Sequence, residues 1–73
     1  MEILNRVTTR VIETVFTIRH GATVYYYKEF TDERGKVIDA MLVDKDGYQI
    51  DDPILLEEVE QLVDEEYQQD LRL

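Results

Sequence analysis

One histidine, no cysteine and no serine remove most covalent and acid–base chemistry from this 73-residue chain before any fold is considered. Thiol nucleophiles and serine-based triads need residues that are absent. His20 stands at the start of His20-Gly21-Ala22-Thr23, which has the form of a two-residue hairpin turn. A general base needs an orienting group and a pocket around it, and a turn tip supplies neither. No catalytic residue is expected, and the chain reads as a non-enzyme.

Asp44, Asp46, Asp51 and Asp52 invite a calcium reading. With Gly47 in the sixth place, an EF-hand loop needs an acid where Leu42 stands and a glutamate where Pro53 stands. Both positions fail, and the four aspartates are accounted for as turn formers and helix caps. Without cysteine the common zinc patterns are also gone. No metal and no cofactor is expected.

Tyr25-Tyr26-Tyr27 resembles a platform for stacking bases, but strand alternation sends Tyr26 to one face and its neighbours to the other. Basic flanking residues are missing too, so direct nucleic-acid binding is not expected. The charge points the opposite way. Residues 1–40 carry six acids and six bases, while residues 41–73 carry eleven acids against Lys45 and Arg72. The whole net charge of −9 therefore sits on the C-terminal part, which repels phosphate.

Closely spaced carboxylates on a rigid frame are what a basic, Lys- and Arg-lined cleft would accept in place of a nucleic acid. Asp51, Asp52, Glu57, Glu58, Glu60, Asp64 and Glu65 form that candidate partner-binding surface. The plain alternative is a solvated helix face kept soluble by its charge.

The elements that position these groups follow from spacing. β-Branched residues dominate from Val7 to Ile18 and fit a pleated strand. Strands are expected at about 7–19, 23–31 and 36–43, with a short fourth at 48–50. The hairpin at Gly21-Ala22 pairs Ile18 with Tyr25, Phe16 with Tyr27 and Val15 with Lys28. Asp32-Glu33-Arg34-Gly35 and Asp44-Lys45-Asp46-Gly47 share the signature of a type I turn closed by glycine. The first of them is expected to set Phe30 against Val37, Lys28 against Asp39 and Tyr26 against Met41.

Asp51-Asp52-Pro53 is a helix start: aspartate caps free N–H groups, and proline at the first position has none to lose. Leu55, Leu56, Val59, Leu62, Val63 and Tyr67 then fall on one stripe, giving a helix over about 53–68. Glu65, Glu66 and Asp70 oppose the negative end of its dipole, so fraying is expected beyond Tyr67. The fold class is α+β in one domain, 1–73: a three- to four-stranded antiparallel β-meander followed by one amphipathic α-helix packed on one face of the sheet.

Alternation gives both sheet faces apolar character. One holds Ile12, Phe16, Ile18, Tyr25, Tyr27, Ile38, Ala40 and Leu42. The other holds Val11, Val15, Val24, Tyr26, Phe30, Val37, Met41 and Val43, with Glu13, Arg19, Lys28 and Asp39 among them. One helix covers one face, and a large uncovered apolar face marks an interaction surface. Val15, Val24, Tyr26, Phe30, Val37 and Met41 are accordingly expected to mediate self-association as a homodimer, the commonest oligomer.

The functional expectation is a small acidic interaction protein with a basic protein partner, of the type phages and mobile elements use to inhibit nucleic-acid-handling proteins. The alternative is a structural or assembly subunit that docks through an apolar sheet face. No signal-peptide pattern and no apolar run long enough for a membrane span occur, so the cytoplasm is the expected location.

Overall fold

The computed structural model describes residues 1–8 and 13–71. Four antiparallel strands, β1 (Glu2–Thr8), β2 (Glu13–His20), β3 (Thr23–Thr31) and β4 (Val37–Asp44), form one open sheet in the order β1-β2-β3-β4. A single helix, α1 (Pro53–Leu71), follows. The α+β meander with one C-terminal helix is as the sequence predicts.

Three of the element boundaries differ from expectation. The single strand expected over 7–19 is two strands, because β1 turns back to pair with β2, with Arg6 opposite Phe16 and Thr8 opposite Thr14. The readings placed on Val11 and Ile12 lie outside the described residues. The short strand at 48–50 is reduced to a bridge between Val43 and Gln49, with the Ile50 N–H donating to the Leu42 carbonyl at 2.8 Å. The helix runs to Leu71 rather than fraying after Tyr67.

The β2–β3 register is the expected one, with Ile18 opposite Tyr25, Phe16 opposite Tyr27 and Val15 opposite Lys28. The β3–β4 register is shifted by two residues from expectation. Lys28 faces Met41, Tyr26 faces Val43, and Phe30 faces Asp39. Two extra residues cause the shift. The first is Gly35, whose φ of +82° closes a turn in which Asp32 accepts the Gly35 N–H on its carbonyl. The second is Ile38, which has no partner in β3 and stands 62% exposed beside the sheet. Both turns are built alike: the Asp32 carboxylate accepts from Arg34 and Lys36 N–H groups, and Asp44 accepts from Asp46 and Tyr48.

The helix lies on the Phe16 side. Phe16, Ile18, Tyr27 and Leu42 from the sheet meet Val59 and Val63 from α1 in the buried core. Ile3, Tyr25, Ile50, Leu55, Leu56, Leu62 and Tyr67 pack around them, so all six residues of the predicted helix stripe face inward. Asp52 caps α1, its carboxylate accepting from Ile54 at 3.1 Å and Leu55 at 3.3 Å. Nothing comparable covers the opposite side of the sheet among the described residues.

Candidate interaction surfaces

All seven carboxylates predicted for the acidic surface are exposed, but they do not form one row. At about 100° per residue, Glu57, Glu60 and Asp64 lie within about 60° of each other on the outer face of α1. Glu58 and Glu65 sit roughly 110° further round, with Gln61 between the two groups. Asp52 spends one carboxylate oxygen on the helix cap, and Asp51 precedes it in the exposed connection. The five helical charges span about 12 Å of axis, so they average about 3 Å apart along it. One strand of duplex DNA carries a phosphate for about every 3.4 Å of helix axis, much the same axial density.

The start of α1 also borders a feature that sequence reasoning did not find. An open cleft of about 610 Å³ lies between the helix start and the far end of β3–β4. Tyr25, Ile50 and Leu55 contribute apolar surface to it, and Asp44, Asp46 and Asp52 contribute carboxylates beside the Lys45 ammonium. The grouping of aspartates in the sequence was the available signal. The apolar part required knowing that Ile50 returns beside Leu42. Among the described residues no three acidic or histidine side chains converge on a point where a metal ion could sit. His20 ends β2 opposite Thr23 and is exposed.

The second sheet face collects most of the residues assigned to it. Across the strands, Val7, Val15, Lys28 and Met41 form one row, and Asn5, Thr17, Tyr26 and Val43 form the next. Phe30 stands between Glu13 and Asp39, and Val24 lies beside Arg19, which is ion-paired with Glu2. Val37 is the exception. The extra residue at Ile38 places it opposite Thr31, in the alternation that carries Glu29 and Tyr27 on the helix side. Val43, outside the predicted self-association set, belongs to this face and is 6% exposed.

A polar network under the C-terminal half of α1 was wholly missed. Arg6 donates to Asp70 at 2.6 Å and to Glu66 at 3.3 Å, and its guanidinium lies 5.2 Å from the Tyr67 ring and 5.8 Å from that of Phe16. The Tyr67 hydroxyl donates to Glu29 at 2.6 Å. Glu29 is only 7% exposed, and nearby Thr14 shares a 2.9 Å hydrogen bond with Thr8. Burial first, and then the Glu29 hydrogen bond, hold the Tyr67 phenol well above the usual tyrosine range. Arg6 is itself raised, chiefly by its hydrogen bond to Asp70. The arrangement is a latch: a cation from β1 neutralises the acidic end of the helix, where the dipole is also negative.

Arg6→Ala should therefore loosen the last turns of α1 and cost about 1 kcal/mol, the range of partly exposed ion pairs and cation–π contacts. Amide exchange at Glu66–Leu71 is the direct measurement. Unchanged protection there would show that the helix end needs no cation.

Comparison with known proteins adds nothing to this geometry: no family model matches the chain, and no curated protein or solved structure matches it significantly. Among the described residues no helix is long and apolar enough to cross a membrane.

Proposed function

We propose that this chain is a non-enzymatic interaction module whose acidic helix surface occupies the nucleic-acid site of a basic protein. The observation that carries the reading is the charge density on α1: five exposed carboxylates within about 12 Å of a rigid axis, gathered in two neighbouring groups. Charge-lined surfaces of this kind steer a partner of opposite sign and fix its orientation. The cleft beside Tyr25 and Leu55, lined by three aspartates and Lys45, adjoins this surface at the helix start. An inhibitor of nucleic-acid-handling proteins, of the type phages and mobile elements carry, fits these properties. A cytoplasmic setting and self-association through the second sheet face belong to the same proposal.

The test is competition. A panel of basic DNA-binding proteins is loaded with labelled duplex, and displacement by the acidic chain is followed by anisotropy. Displacement from at least one member is expected, falling at least about a hundredfold in the Glu57→Lys/Glu58→Lys/Glu60→Lys variant, since charge-pair losses of this kind reach several kcal/mol. No displacement anywhere, or displacement unaltered in about 0.5 M salt where fields reach only a few ångströms, would refute it.

The open apolar sheet face supports a second reading, an assembly subunit that docks through that face into a larger complex. There the triple reversal leaves association intact.

A further inference from the structure

We infer that the open sheet face pairs with a second copy of this chain in one orientation, each strand lying over its own copy and running the opposite way. The inference rests on the self-association proposed above and specifies its geometry. Four strands at about 4.8 Å and seven residues at about 3.3 Å make a face of roughly 19 by 23 Å. Two such faces remove on the order of 1,000 Å² from water, the lower bound for a specific interface.

Sheets packed face to face keep their strands within about 30° of each other, which leaves two aligned arrangements about a twofold axis. With the axis along the strands, like ends meet. Glu13 and Asp39, which flank Phe30, would then face the same acidic end of the second copy. With the axis across the strands, opposite ends meet and the charges are complementary. Stepping through the register from its centre brings Arg19, which its own chain's Glu2 also holds, over Glu13 of the second copy, so the contact between copies adds to an existing pair. Lys45, just past the end of β4, comes over Asp39. The apolar positions agree, since Val24 then lies over Phe30 and Tyr26 over the stem of Lys28. Every such contact occurs twice.

Sedimentation of charge exchanges tests this. Wild-type chain should be dimeric at micromolar concentration. Arg19→Glu and Glu13→Arg should each weaken the dimer by about tenfold or more, because each sets like charges together at two places. Mixing the two variants one to one should restore it. Lys45→Glu with Asp39→Lys repeats the experiment at exposed positions, should either first variant lose its circular dichroism. A monomer at all concentrations would overturn both this orientation and self-association. A dimer indifferent to the exchanges, or not rescued by mixing, would overturn the orientation alone.

Discussion

Phe16→Ala is expected to cost about 3–5 kcal/mol, as deletion of a fully buried aromatic ring does. Phe16 is 0% exposed at the centre of the sheet. Its ring stands edge-on to Tyr67 at 5.8 Å and tilted against Tyr27 at 6.3 Å, with the Arg6 guanidinium above it. Alanine removes the buried surface, leaves a cavity under α1, and strips Arg6 and Tyr67 of the ring that positions them. A domain of this size has about 4–11 kcal/mol in total, so one substitution consumes a large share. Urea unfolding followed by far-ultraviolet circular dichroism reads the loss directly. Ile54→Ala is the internal comparison, since Ile54 is 73% exposed and the change should stay within about 0.5 kcal/mol. Equal costs at the two positions would mean that the Phe16 pocket is not the organising core.

Alkali should destabilise the protein progressively from about pH 10 upward. Burial, with the nearby charges of Glu29, Glu60 and Asp64, pushes the Tyr27 phenol up to about 12. Tyr67 is raised as well, first by burial and then by its bond to Glu29. Both phenols hold their protons more tightly in the folded chain than in the unfolded chain, where tyrosine titrates near pH 10. Their contribution is therefore complete below about pH 10 and is lost as pH rises through the folded value. At about 1.4 kcal/mol per unit of pKa, Tyr27 alone accounts for roughly 2–3 kcal/mol over that interval. Tyrosinate absorbance and circular dichroism should change together, with Tyr27 and Tyr67 ionising as the sheet opens. Tyr27 and Tyr67 titrating near pH 10 with the fold intact would contradict their burial.

Local chemistry made much of this fold readable in the sequence. Gly21 and the two Asp-x-x-Gly turns punctuate the meander. The three-and-four spacing from Leu55 to Tyr67 identifies the face of α1 that enters the core. What was hidden depends on single extra residues. Leu4 has no partner in β2, and this irregularity lets Ile3 and Arg6, three apart, reach the same side of the sheet. Ile38 does the same in β4, moving Val37 to the helix side and Asp39 away from Lys28. A strand pattern read with strict period two cannot anticipate either. The Arg6 latch was invisible for a further reason: its partners Glu66 and Asp70 lie 60 and 64 residues away. It also explains why the helix persists to Leu71, where acidic residues at a C-terminus predict fraying. The acidic surface was legible by type, but its division into two groups and its continuation into a cleft required the three-dimensional arrangement.

The sheet separates the two surfaces on which the functional proposal depends, the helix on one side and the open face on the other. Pairing through the open face would leave both acidic ridges pointing outward, their axes on the order of 30 Å apart after two helix–sheet layers and one sheet–sheet layer. Such a particle is divalent. Occupancy of one ridge neither blocks nor requires the other, and a partner carrying two basic sites at suitable separation would gain avidity with no additional contact. For a chain of 73 residues, valency is then a property of the assembly, and it would fall away on dilution below the dimer dissociation constant.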